Sequence, residues 1–116
     1  MHELSVTKGI VNTVLKSLPE DFSGKVSIIN LLVGEMYDYE EEWLNSYLVR
    51  LSQGTKLEGA RLSITRQGVS FKCKDCGQEF DSDGSIGQTC PNCGSGSYGI
   101  LTGREFYIQS VECIED

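Results

Sequence analysis

Long apolar segments and an excess of basic residues are both absent from this 116-residue sequence. No apolar run approaches the ~20 residues that a helix needs to cross a bilayer. The 17 acidic and 10 basic side chains give a formal net charge of −7. Nucleic acids and anionic membranes are bound mainly through Lys and Arg that neutralise phosphates, so we expect neither as a partner. Cations and basic protein surfaces are the favoured partners.

Signals for export and residues for catalysis are also missing. The segment Met1 to Ser5 lacks the basic and apolar regions of a signal peptide, so a cytoplasmic location is expected. There is one histidine, no Ser-His-Asp or Cys-His arrangement and no phosphate-binding loop. The sequence therefore predicts a protein that is not an enzyme, and any nucleotide hydrolysis would have to come from a partner.

The apolar periodicity predicts an α+β fold with two helices and a small mixed three-stranded sheet. Asp38 is the predicted cap of the second helix, with Glu40 to Glu42 in its first turn. The predicted helices cover residues 4–18 and 38–54, and the predicted strands cover 25–34, 57–66 and 106–114.

The segment 69–103 differs from the rest of the chain. Glycine, serine and aspartate dominate it, large apolar residues are few, and it contains four of the five cysteines. It is predicted to lack a hydrophobic core of its own. We therefore expect two domains, an α+β domain formed by residues 1–68 and 104–116 and an inserted zinc-ribbon-like domain formed by residues 69–103.

Two cysteine pairs lie in this insert. Cys73-Lys74-Asp75-Cys76-Gly77 and Cys90-Pro91-Asn92-Cys93-Gly94 are separated by a spacer that runs from residue 78 to residue 89. A Cys-x-x-Cys turn points both sulfur atoms into one hollow, and two such turns supply a closed tetrahedral site. A closed four-thiolate site leaves no position for a substrate. The four cysteines thus predict a structural zinc ion whose binding folds the insert.

Two other uses of these cysteines are alternatives to zinc. Paired Cys-x-x-Cys-Gly motifs hold a single iron in rubredoxins, but their spacing is longer, and their aromatic packing is not expected here. A redox-active dithiol fits one pair better than two. Cys113, in the predicted last strand, is expected to be a buried small apolar residue.

The amino-terminal residues form a second candidate metal site. If the mature chain begins at Met1, its α-amine, the amide nitrogen and imidazole of His2 and the amide nitrogen of Glu3 can lie in one plane. Four nitrogen donors in a square plane suit Ni(II) or Cu(II). Because two of these donors are deprotonated amides, such a site would be emptied by acid.

The sequence resembles the HypA/HybF family of accessory proteins that help to insert nickel into [NiFe] hydrogenase. The resemblance covers the whole chain in order. The segments that carry it are Met1-His2-Glu3-Leu4-Ser5, Val33-Gly34-Glu35, Gly54-Thr55 with Glu58-Gly59-Ala60, the two cysteine motifs, and Gly103-Arg104-Glu105.

The resemblance implies a nickel metallochaperone. Carried over residue by residue, Met1, His2 and Glu3 are the nickel positions, and the four cysteines hold zinc. The implied partners are a HypB-type GTPase and the large subunit of [NiFe] hydrogenase, and the implied oligomeric state is a monomer or a weak homodimer. The alternatives are a zinc-ribbon adaptor that binds no nickel and a rubredoxin-like iron electron carrier.

Overall fold

The computed structural model describes residues 3–115, which form two helices and six strands in two small sheets. The elements are α1 (Glu3–Ser17), β1 (Lys25–Gly34), α2 (Glu41–Leu51), β2 (Arg61–Gln67), β3 (Ser70–Cys73), β4 (Glu79–Asp81), β5 (Tyr98–Thr102) and β6 (Phe106–Ile114). The first sheet has the strand order β2-β1-β6 and the second β4-β3-β5. The predicted α+β class is confirmed.

The chain divides into two compact units. The first unit comprises the residues up to 31, residues 39–65 and those from 107 onward, and the second comprises residues 32–38 and 66–106. The second unit contains both cysteine motifs and the whole second sheet. Neither helix is long and apolar enough to cross a membrane, within the part of the chain that the structure describes.

The first sheet is mixed. Two hydrogen bonds show that β1 and β6 run in opposite directions. Ser27, near the start of β1, bonds the carbonyl of Glu112, and the amide of Gly34, at the end of β1, bonds the carbonyl of Glu105. β2 follows β1 through α2, the kind of crossover that joins parallel neighbours. Central strand β1 has the bounds that were predicted from its run of Val, Ile and Leu.

The core of the first unit includes buried apolar residues of β1 and of both helices. Ile29 and Leu31 are fully buried and two residues apart, so they point to the same face of the strand. On α2, Leu44 and Leu48 are also fully buried, and their spacing of four places them on one side of the helix. Burial of each such side chain contributes about 1.5–3 kcal/mol.

The predicted starts of α2 and β2 are wrong, and α2 ends at Leu51 instead of at the predicted stop, Gly54. The second helix begins at Glu41, and its cap residue is Glu40 without a side-chain capping bond. Asp38 is therefore not the cap, since the chain first makes a turn in which the amide of Tyr37 bonds the carbonyl of Gly34. The second strand begins at Arg61 instead of residue 57, because residues 52–60 form consecutive turns.

Side chains of α2 bond the backbone of β2. The Asn45 side chain accepts a hydrogen bond from the amide of Leu62 (2.7 Å) and donates one to its carbonyl (3.4 Å). Glu41 accepts a hydrogen bond from the amide of Ile64 at 3.1 Å. These three bonds hold the helix against the strand in addition to apolar packing.

In the second unit, the end of β1 passes very close to the segment that follows β5. The amide of Gly34 bonds the carbonyl of Glu105 at 2.7 Å, and the amide of Met36 bonds the carbonyl of Gly103 at 3.0 Å. A Cβ atom on Gly34 would lie 2.0 Å from the carbonyl oxygen of Gly103. Only glycine fits at position 34. Two of the segments that carry the family resemblance, Val33-Gly34-Glu35 and Gly103-Arg104-Glu105, therefore contact each other.

Replacement of Gly34 by Ala is expected to destabilise the second unit by about 1–3 kcal/mol, as overpacking against rigid backbone does. Gly68→Ala is the matched control, because a Cβ atom at that position meets nothing within 4 Å. The measurement is urea unfolding of both variants. Equal midpoints for the two variants would contradict the close backbone approach.

Candidate metal centre

The first cysteine motif is a tight turn that follows β3. Cys73 is the last residue of that strand, and its amide bonds the carbonyl of Gln78 at 2.9 Å. The amide of Gly77 returns to the carbonyl of Cys73 at 3.1 Å. Gly77 has a φ of +80°, a conformation that costs other residues about 1–2 kcal/mol. The glycine after the second cysteine therefore closes the turn.

The second cysteine motif repeats this geometry at the same relative positions. The amide of Cys90 bonds the carbonyl of Ser95 at 2.9 Å, and the amide of Gly94 bonds the carbonyl of Cys90 at 2.8 Å. Gly94 has a φ of +76°. Two short sequences with the pattern Cys-x-x-Cys-Gly thus fold into equivalent turns.

The two turns face each other and bring the four sulfur atoms together. All four Sγ atoms lie within 4.8 Å of one another, and the Cys73–Cys93 and Cys76–Cys90 separations are both 3.6 Å. A tetrahedron with metal–sulfur distances of ~2.3 Å has edges of about 3.8 Å. The donor set therefore fits one tetrahedrally coordinated ion of the size of Zn²⁺.

The four sulfurs are unequal in exposure. Cys73 and Cys90, the first cysteine of each motif, are 2% exposed, whereas Cys76 and Cys93 are exposed. An ion bound by all four would have two ligands inside the second unit and two at its surface.

A small aromatic core packs against the buried cysteines, so the prediction that this segment has none is wrong. Phe80 is buried with Cys73 and Cys90, and Phe71 and Tyr98 pack against them. The Phe71 ring centroid lies 4.7 Å from that of Tyr98 and 5.6 Å from that of Phe80. These distances are typical of favourable aromatic pairs.

This aromatic cluster was missed because each ring comes from a different short strand. β3 pairs antiparallel with β4, so that Phe71 lies opposite Phe80. On its other side β3 pairs antiparallel with β5, which carries Tyr98. No local sequence pattern shows that pairing. The cluster also removes one of the two arguments against a rubredoxin-like iron site, and the argument from spacing remains.

Two polar contacts join the cysteine turns. The hydroxyl of Ser95 in the second turn donates a hydrogen bond to the carboxylate of Asp75 in the first. The side-chain amide of Asn92, also in the second turn, donates to the Sγ atom of Cys76 at 3.5 Å. The turns are therefore held in register by hydrogen bonds as well as by any shared ion.

The two exposed thiols differ in acidity. Hydrogen bonds from the side chain of Asn92 and the backbone of Gln78 lower the pKa of Cys76 to about 6. The backbone amide of Ser95 lowers the pKa of Cys93, but the adjacent thiols and desolvation outweigh it and raise that pKa to about 12. Four sulfurs this close repel each other as thiolates unless a cation lies among them.

Zinc affinity is expected to rise with pH. Since Cys93 is protonated at neutral pH without metal, its proton must leave when an ion binds. Cys76 adds a further released proton once the pH falls below about 6, so affinity should decline more steeply in acid than near pH 8. Competition titrations with a chromogenic chelator from pH 5.5 to 8 measure this, and a flat profile would contradict it.

The other predicted positions lie elsewhere. Glu3 is the first residue of α1, and the hydroxyl of Thr7 donates a hydrogen bond to its carbonyl at 2.6 Å. Met1 and His2, the remaining predicted nickel positions, lie outside the described residues. Cys113 is exposed on β6, so its expected burial is wrong: residues 112–114, the last three of this strand, are all exposed.

Comparison with known proteins identifies the family. A family model described as "Hydrogenase/urease nickel incorporation, metallochaperone, hypA" matches residues 1–113. This chain belongs to the HypA family. The predicted family membership is thereby confirmed over residues 1–113.

Individual HypA proteins agree with this result. The chain is 36% identical to the hydrogenase maturation factor HypA of Dehalococcoides mccartyi over 97% of its own length and 93% of that protein. It is also 36% identical to the HypA of Caldanaerobacter subterraneus subsp. tengcongensis over 97% and 98% of the two chains. The solution structure of the nickel metallochaperone HypA from Helicobacter pylori matches the whole of both chains with a TM-score of 0.66 at 22% identity, which shows the common fold.

A further segment of the HypA resemblance forms one compact turn. The amide of Gly54 bonds the Glu58 carboxylate at 3.0 Å, and the amide of Leu57 bonds the Thr55 hydroxyl at 3.1 Å. Gly54 has a φ of +78°. Thr55 and Glu58 therefore satisfy backbone amides in the turns that follow α2, which is a structural use of both polar side chains.

Proposed function

We propose that this member of the HypA family is a nickel carrier that binds Ni(II) at its amino terminus and helps to deliver it to [NiFe] hydrogenase. The supporting observation is the match of the family model to residues 1–113, because it spans both candidate metal sites in one chain. Either metal motif alone would be compatible with many unrelated functions.

In this proposal, Met1, His2 and Glu3 bind the transported nickel. The α-amine of a chain that begins at Met1, the imidazole and amide nitrogens of His2, and the amide nitrogen of Glu3 are the donors. Such a site uses only the first three residues of the sequence, so the ion can leave without unfolding of the protein. Exchangeable binding suits a donor, since a closed cage would retain its cargo.

The second site is proposed to hold zinc permanently. Cys73, Cys76, Cys90 and Cys93 are its ligands, and a bound zinc ion would supply folding energy to residues 69–103, the proposed zinc-binding domain. Convergence of the four sulfurs within 4.8 Å and the two equivalent turns support this assignment. A closed four-thiolate site has no open coordination position, so its role is structural.

Delivery of nickel is proposed to require two cytoplasmic partners. A HypB-type GTPase would supply the nucleotide hydrolysis for which this sequence has no phosphate-binding loop, and the hydrogenase large subunit would receive the ion. The protein itself would not be an enzyme, and it would act as a monomer or a weak homodimer. The net charge of −7 favours basic surfaces on these partners.

Metal analysis of the purified chain tests this function against its competitors. We expect one zinc per chain as isolated and the uptake of one Ni(II) per chain in calorimetric titration. A red protein that contains iron would instead indicate an electron carrier. One zinc without nickel uptake would indicate an adaptor, and either result would overturn the proposal.

A further inference from the structure

The two surface sulfurs of the cysteine cluster have different surroundings. Cys76 and Cys93 are both exposed, so solvent, chelators and electrophiles reach both of them. Cys76 accepts a hydrogen bond from the side chain of Asn92 at 3.5 Å. Among the described residues, Cys93 accepts no side-chain N–H bond of this kind. The site is therefore asymmetric at its exposed face.

The backbone of the second turn places Asn92 where it can make this bond. Asn92 directly precedes Cys93, within a turn that is closed by the Cys90–Ser95 and Gly94–Cys90 backbone bonds. The adjoining Ser95–Asp75 hydrogen bond ties the same turn to the first one. The Asn92 amide is consequently aimed across the cluster at a sulfur that belongs to the opposite turn.

We infer that Asn92 is a positioning residue of the proposed zinc site. It protects Cys76, so that Cys93 is the first sulfur to be released from the ion. An N–H bond to a thiolate withdraws negative charge from the sulfur, so the sulfur becomes a weaker nucleophile. The same bond resists rotation of the Cys76 side chain away from the other three sulfurs. Both effects slow the loss of this ligand. The inference rests on the proposed zinc site.

Zinc transfer from the zinc-loaded full chain to a chromogenic chelator in excess is the first test. Asn92→Ala removes the donor, and we expect zinc release at least about 10-fold faster, in line with the loss of other outer-shell partners of metal ligands. Gln78→Ala is the matched control. Its side chain bonds the carbonyl of Glu79 and no sulfur, and the variant retains the Gln78 backbone, so it should release zinc at the original rate.

Alkylation with iodoacetamide, followed by peptide mass spectrometry, locates the effect. In the zinc-loaded original chain, Cys93 should be modified before Cys76, and in Asn92→Ala the two should react at similar rates. The exposed Cys113 serves as an internal reference for a free thiol. Circular dichroism of each zinc-loaded variant checks that the folds are equal.

The outcomes separate this inference from the proposed zinc site. If the original chain contains one zinc, three results would overturn the role of Asn92. These are zinc release by Asn92→Ala at the original rate, equally faster release by Gln78→Ala, and an order of alkylation that Asn92→Ala does not change. Absence of zinc from the original chain would overturn the site itself.

Discussion

Substitution of His2 by Ala is expected to abolish stoichiometric Ni(II) binding. The imidazole is the only side-chain donor in the proposed plane of four nitrogens, and its loss breaks two fused chelate rings. The affinity should fall by more than the roughly 10–100-fold that loss of an outer-shell partner costs. Isothermal titration of the zinc-loaded chain with Ni(II) measures the effect, and zinc content should not change.

Two further variants test which nitrogens are used. Glu3→Gln keeps the backbone amide and should bind nickel normally, whereas Glu3→Pro removes that donor and should bind weakly. Proline is tolerated in the first turn of a helix, and α1 begins at Glu3, so this variant should fold. Normal binding by both His2→Ala and Glu3→Pro would exclude the proposed chelate.

An amino-terminal extension tests the α-amine. The extension must be four residues or longer, because one added residue would place the histidine third and create a different amine–amide–imidazole chelate. Such an extended chain should lose nickel binding as His2→Ala does. If it binds nickel like the original chain, the α-amine is not a ligand.

Substitution of Cys76 by Ser is expected to unfold residues 69–103 and to leave the first unit folded. Removal of one thiolate breaks the closed site, and structural zinc ions of this type contribute on the order of 10 kcal/mol or more to folding. The aromatic cluster of Phe71, Phe80 and Tyr98 is too small to compensate. Hydrogen exchange should show loss of protection in this segment and retained protection in α1 and β1.

Cys113→Ser is the control for that experiment. Cys113 is an exposed cysteine outside the cluster, so its replacement should alter neither zinc content nor exchange. Protection of residues 69–103 in Cys76→Ser at the level of the original chain would show that the segment folds without the ion.

Features encoded within a few neighbouring residues were predictable. The bounds of β1 follow from its run of Val, Ile and Leu, and the convergence of four cysteines follows from two Cys-x-x-Cys-Gly motifs whose turns are fixed by local hydrogen bonds. In both cases, the physical cause lies within about ten residues. Such patterns can be recognised without knowledge of the rest of the fold.

Features that depend on distant pairing were not predictable. The strands β3, β4 and β5 are three to five residues long, and their alignment brings together Phe71, Phe80 and Tyr98 from separate parts of the sequence. The contact between Asn92 and Cys76 likewise joins residues on opposite turns. The prediction of a cap at Asp38 was wrong because residues 38–40 lie between the turn that follows Gly34 and the start of α2 at Glu41.

The bonds that Asn45 and Glu41 make to β2 have a consequence for aggregation. β2 is an edge of the first sheet, and an edge with free amides and carbonyls is a template onto which another chain can add a strand. Here, the side chains of α2 already occupy the amides of Leu62 and Ile64. Growth of this sheet by strand addition would therefore have to proceed from β6, and the helix serves the fold as a barrier to polymerisation on the opposite edge.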